Sequence, residues 1–152
     1  MARQRDPFTV DLFSDLKPAP VVDRFDGEEV KAWSLAGRLA KAVALTMENS
    51  GKTREQIATE MSEVTKANVS KAMLDAYASQ AREQHSISAL RLAALAIVTG
   101  DARAFNTLLE EAGLIVVPSK YEALLRRERA REMRDLLDRE EKAADAEWRA
   151  RR

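Results

Sequence analysis

The chain has 152 residues, 45% apolar but only 5% aromatic, which suits one helical domain with extensions and a core of Leu, Ala, Val and Met. Its 25 basic and 25 acidic residues cancel, which excludes holding nucleic acid by bulk charge and requires any such contact to come from local placement. With no cysteine present, disulfides, thiolate zinc sites and cysteine nucleophiles are excluded, and a reducing compartment, the cytoplasm, is expected.

The first residues lead into no long apolar run, and the most hydrophobic stretch, residues 90–98, is broken by Arg91. Neither a signal peptide nor a membrane span is expected. Residues 1–25 read as a flexible tail, because Pro7, Pro18 and Pro20 each remove a backbone donor and bias the preceding residue away from helix. A first helix is expected to start at Asp26 as cap with Glu29 three residues on, to align Trp33, Ala36, Leu39, Val43 and Met47 on one face, and to stop at Gly51. Thr53 and Gln56 form a capping-box pattern for a second, short helix with Ile57, Ala58 and Met61 inward. After a tight turn at residues 62–64, Thr65 is expected to cap a third helix with Val69, Ala72, Met73 and Ala76 toward the core and Lys66, Ser70 and Lys71 outside.

Residues 79–85 read as a loop. Ser86 is then expected to cap a fourth helix whose apolar residues, among them Ile87, Leu90, Leu92, Leu95 and Val98, nearly encircle it, the pattern of a buried helix. Thr99 and Gly100 end it, and Asp101 is expected to cap a fifth helix bearing Phe105, Leu108, Leu109 and Ala112 that stops at Gly113. The β-branched run at residues 114–117, closed by Pro118, predicts a short strand. From Lys120 onward the pattern is a long charged helix with acid-first pairs such as Glu122/Arg126, Asp135/Arg139 and Asp145/Arg149, a spacing that supports a helix standing by itself. Its apolar positions keep no clean heptad, so a projecting helix that docks over its first half is expected. The fold class expected is therefore all-α: a five-helix domain over residues 26–118, one short strand, and a charged helix over residues 119–152.

Two short helices joined by a tight turn, with the small Ala58 where they cross, form a helix-turn-helix arrangement. The residues Thr53-Arg-Glu-Gln-Ile-Ala-Thr-Glu-Met and Val64-Thr-Lys-Ala-Asn-Val-Ser-Lys resemble the lambda-repressor/Cro-like helix-turn-helix. Residues 86–113, with Thr99-Gly100-Asp101 between two helices, are similar to phage CII-type regulators, and Val69-Ser-Lys-Ala-Met-Leu-Asp-Ala-Tyr-Ala-Ser resembles uncharacterised proteins of Mu-like transposable phages and prophages. The resemblance spans roughly residues 28–118 and implies a sequence-specific DNA-binding regulator of transcription or transposition. It implies a phosphate clamp at Arg54, base-edge contacts from Lys66, Ala67 and Lys71 with Asn68 and Ser70 alongside, and double-stranded DNA as partner. Ser62-Glu63 stands where that family has a single glycine in the turn.

Arg82 is a further candidate DNA contact beside this stretch; between residues 52 and 85 acidic and basic side chains balance, so the competing reading of Lys66 and Lys71 is the solvated face of a core helix. His85 is the only histidine. No triad, metal cluster or phosphate loop can be assembled, so no enzyme activity and no cofactor are expected. In the tail, Thr9-Val-Asp-Leu-Phe resembles the bacterial sliding-clamp-binding peptide, which implies partner contacts from Val10, Leu12 and Phe13; packing of that segment on its own domain is the competing reading. A homodimer is expected through Leu114 to Val117, Val116 among them, and the early part of the final helix, since a lone strand leaves its backbone unpaired and a second copy could supply the missing ladder. Three functions follow: a DNA-reading regulator, a protein-interaction adaptor on the same fold, and a replication accessory tethered to the clamp.

Overall fold

A computed structural model describes residues 21–80 and 85–151. Six α-helices and no strand occur among the described residues: α1 Leu35–Asn49, α2 Arg54–Thr65, α3 Lys71–Tyr77, α4 Ala89–Thr99, α5 Arg103–Leu109 and α6 Glu122–Ala150. Short 3-10 turns at Glu110–Ala112 and Ser119–Tyr121 follow α5 and precede α6. No described helix is long and apolar enough to cross a membrane. The chain divides into two compact units, one ending at Ile115 and one running from Val116.

In the first unit α1 packs against α5 and α2 against α4, while α3 closes on α2 and α1. Met47, Ile57, Met61, Leu74, Leu92 and Leu95 form the fully buried centre, aliphatic and thioether side chains whose removal from water supplies most of the stabilisation. Within residues 1–25, expected as a tail, Phe25 is core. It is buried, the Arg103 guanidinium lies 4.2 Å from its ring centroid, and the buried Asn106 amide donates to the Asp23 carbonyl at 2.8 Å. Arg103 is held in turn by Asp101, whose carboxylate accepts at 2.8 Å from the guanidinium.

Several expected boundaries move. Asp26 opens only a turn, its carboxylate accepting from the Glu28 N–H at 2.9 Å, and α1 starts eight residues later at Ser34, whose hydroxyl accepts from the Gly37 N–H at 3.0 Å. Trp33, placed on the core stripe by its spacing, precedes the helix and is 103% exposed. The chain entering α1 passes close to Gly37, where a Cβ would sit 3.1 Å from the Ala32 Cβ and 3.2 Å from the Ser34 Oγ. Ser88, not Ser86, caps α4, and Ile87 is buried just ahead of the helix. One side of α4 is open to solvent, with Leu90 67% and Ile97 68% exposed, so its apolar circumference does not signal full burial. Gly100 ends it in the left-handed region, φ 71°, as expected.

Ala102 occupies the cap position of α5 and makes no side-chain cap bond, although Asp101 accepts from the Arg103 N–H at 2.9 Å. The expected strand at residues 114–117 is absent. Leu114 instead closes the end of the α5 region, its N–H donating to the Leu109 carbonyl at 3.2 Å, and Pro118 leads into the 3-10 turn before α6.

The second unit is α6 with its lead-in. No residue of α6 is buried. Ion pairs at helical spacing close between Arg126 and Glu122 at 2.8 Å and between Arg149 and Asp145 at 3.6 Å, giving the helix support from within.

Candidate nucleic-acid interface

The α2–turn–α3 element is built by local chemistry. The capping box at the start of α2 is complete: the Thr53 hydroxyl accepts from the Gln56 N–H and the Gln56 side chain accepts from the Thr53 N–H at 2.8 Å. Ile57, Ala58 and Met61 are buried as their spacing predicts. The helix then runs on to Thr65, through the residues expected to form the turn. Lys66 reverses the chain in the left-handed region, φ 54°, and the turn continues to Ser70, which caps α3 by accepting from the Met73 N–H at 3.3 Å. The expected start at Thr65 is thus five residues early.

Ser62 explains how a turn without glycine holds. Its hydroxyl accepts from the Val69 N–H at 2.9 Å and donates to the Ala58 carbonyl at 2.7 Å, so one side chain at the end of α2 fixes the far end of the turn. The Thr65 hydroxyl donates to the Met61 carbonyl at 2.8 Å and accepts from the Ala67 N–H at 3.3 Å. Val69, buried, anchors the turn to the core.

These shifts relocate the residues expected to read bases. Lys66, Ala67 and Asn68 are exposed in the turn and not on α3. Ser70 is committed to its capping bond. Lys71 is the first residue of α3 and is exposed, with Ala72 beside it. An open groove of about 550 Å³ runs between α2 and the turn, bordered by Glu55, Ser62, Glu63, Asn68, Ser70 and Lys71. Arg82, Val10, Leu12 and Phe13 lie outside the described residues. Val116 is half-buried at the start of the second unit, and with no strand at residues 114–117 the unpaired-ladder argument for a dimer there falls.

Charge on this face is compensated within the chain. Arg54, at the start of α2, pairs with Asp75 of α3, and Lys71 pairs with Glu55 at 2.6 Å; Lys52 similarly meets Glu60 at 2.6 Å. Lys66 has no ion-pair partner among the described residues. The Lys71 hydrogen bond holds the Glu55 carboxyl below its usual range, and the same bond raises the Lys71 ammonium. A lowered carboxyl stabilises above the ordinary carboxylate range and loses that effect as pH falls through it; a raised ammonium stabilises below the ordinary lysine range and loses it as pH rises through. Both signs place the pair's contribution across neutral pH, where its solvent exposure keeps it weak. The pairing is not legible in sequence, since Glu55 and Lys71 stand on different helices and only their approach in the fold brings them together.

No protein-family model, curated protein or solved structure matches the chain. Among the described residues no cluster of His, Asp or Glu has the grouping to hold a metal ion.

Proposed function

We propose that the first unit is a DNA-binding helix-turn-helix domain of the lambda-repressor-like kind, acting as a regulator of transcription or transposition of phage or prophage type. The observation that supports this best is the α2–turn–α3 element itself: a small residue, Ala58, buried on α2, a turn fixed by Ser62, and small or polar side chains exposed at Lys66, Ala67, Asn68, Lys71 and Ala72. A helix of this kind enters a major groove by its first turn and the residues before it. Lys66, Asn68 and Lys71 supply donors there, Ala67 and Ala72 leave room for close approach, and Arg54 stands at a helix start beside the path of a phosphate.

The specific observation that favours a protein-contact module instead is the pairing of Arg54 with Asp75 and Lys71 with Glu55, which leaves few uncommitted cations for phosphates. A gel shift with double-stranded DNA from the protein's own locus, over a range of salt, separates the two. On the DNA reading wild type forms a complex, and Lys66→Ala and Lys71→Ala each weaken it by roughly 1–3 kcal/mol if they touch base edges. Binding by both variants as tight as wild type, or no complex at any salt, refutes the assignment.

A further inference from the structure

We infer that α6 is a dimerisation helix and that it pairs antiparallel with α6 of a second copy of this chain. One arc of α6, roughly 140° wide at 3.6 residues per turn, carries Leu125, Met133, Leu136, Leu137 and Trp148, and each of these is about half or more exposed. Ala130, Ala143 and Ala144 lie in the same arc. The opposite side is mostly charged, with Leu124 its one large apolar residue, which keeps that side in water and leaves this arc as the face to be covered.

The charges within the arc select the occupant and its direction. They are Glu122, Arg126, Arg129, Glu140, Glu147 and Arg151. Two copies laid parallel would set each of these against itself, acid on acid and base on base along the whole seam. Two copies laid antiparallel about Leu136 and Leu137 set Glu122 against Arg151 of the second copy, Arg126 against Glu147 of the second copy, and Arg129 between Glu140 and Glu147 of the second copy. The same register lays Leu125 on Trp148 of the second copy and packs Leu136 and Leu137 across the two-fold axis. Such an isologous seam is self-complementary, as closed two-fold symmetry requires, and like-charge contacts along the parallel alternative act as the discriminating element. Arg126 already accepts the company of Glu122 in its own chain at 2.8 Å, so the antiparallel seam adds a second carboxylate to a guanidinium that has five donors to share. The irregular heptad does not oppose this, because the apolar residues recur at an eleven-residue spacing, as Leu125 and Leu136 or Met133 and Ala144 do, which keeps a nearly straight helix on one face.

The full chain tests this by sedimentation equilibrium across micromolar concentrations. The expected mass is twice 17.0 kDa, falling toward the monomer in Leu136→Asp with helix content by circular dichroism retained. Arg126→Glu with Arg129→Glu raises the dimer dissociation constant at least tenfold, and adding Glu140→Arg with Glu147→Arg in the same chain restores it. Direction is read separately by cross-linking, since the chain has no cysteine of its own. A mixture of the Arg129→Cys chain and the Ala144→Cys chain forms the mixed disulfide under mild oxidation, and neither chain alone links to itself efficiently. A mass of 17.0 kDa at every concentration, a dimer untouched by Leu136→Asp, or self-linking of each cysteine chain in preference to the mixed pair overturns the proposal. None of these readouts involves DNA, so they stand or fall apart from the function proposed for α2 and α3.

Discussion

Replacing Lys66 by glycine separates the backbone role of this residue from its side-chain role. Lys66 holds the left-handed conformation, φ 54°, and is the only non-glycine residue at positive φ among those described. A side chain at such a position costs roughly 1–2 kcal/mol through its Cβ, whereas glycine adopts it freely but gives up roughly 0.5–1 kcal/mol more backbone entropy on folding. The difference leaves Lys66→Gly more stable by about 0.5–1 kcal/mol. For a folded unit of this size, each 1 kcal/mol moves the melting temperature by roughly 4–8 °C, so a rise of about 2–8 °C is expected in a thermal melt. Lys66→Ala keeps the Cβ and should melt with wild type. On the proposed function both variants lose the ammonium and bind DNA equally weakly, so glycine alone gives a protein that is more stable and less active. A melting temperature for Lys66→Gly equal to or below that of wild type would refute the turn geometry; unchanged DNA binding by both would remove Lys66 from the interface.

Three further outcomes follow from the same element. Ser62→Ala strands the Val69 N–H and is expected to cost about 1–3 kcal/mol, read by urea denaturation; a midpoint equal to wild type would show that Ser62 does not hold the turn. Ala58→Leu places added volume at the buried crossing of α2 and α3 and is expected to cost roughly 1–3 kcal/mol and to weaken DNA binding in parallel, so an unaltered melt would contradict the close crossing. Glu55→Gln releases Lys71 and removes a carboxylate from the groove; DNA affinity should rise roughly two- to fivefold at neutral pH, within what an exposed pair can withhold, with a steeper dependence on salt. Weaker binding by Glu55→Gln would mean that the Glu55–Lys71 pair positions the lysine instead of competing for it.

What the sequence made legible was the content of each helix more than its edges. Gly51, Thr53 with Gln56, Gly100 and Gly113 stand at real boundaries, because capping and left-handed termination are local chemistry. Ser86, Thr65 and Asp26 offer the same chemistry and do not start helices, since Ser88, Ser70 and Ser34 follow two, five and eight residues on and win once Ile87, Val69 and Val30 are buried ahead of them. Choosing between neighbouring caps is decided by which apolar residue the core draws in, a tertiary effect that no short window contains. The β-branched run at residues 114–117 failed as a strand for a related reason: propensity for strand is realised only beside another strand, and the described chain offers none.

The candidate interface shows the same division more sharply. Arg54, Lys66 and Lys71 were identifiable as exposed cations, yet the availability of Arg54 and Lys71 depends on Asp75 and Glu55, which approach only when α2 and α3 cross. A neutral face of this kind holds a single duplex site weakly, because affinity for phosphates scales with the cations free to displace counterions. Two such faces carried on one dimer raise the effective concentration of the second once the first is seated. If α6 supplies that dimer, self-compensated charge on α2 and α3 becomes consistent with DNA reading: each half binds too weakly to be held at random sequence, and only a pair of correctly spaced half-sites retains the protein. Leu136→Asp then predicts a loss of DNA affinity as large as that of Lys66→Ala and Lys71→Ala combined, although residue 136 touches no DNA. Gel-shift titration of the full chain at fixed salt measures it, and an affinity equal to wild type from a monomeric Leu136→Asp would break the link between the two units.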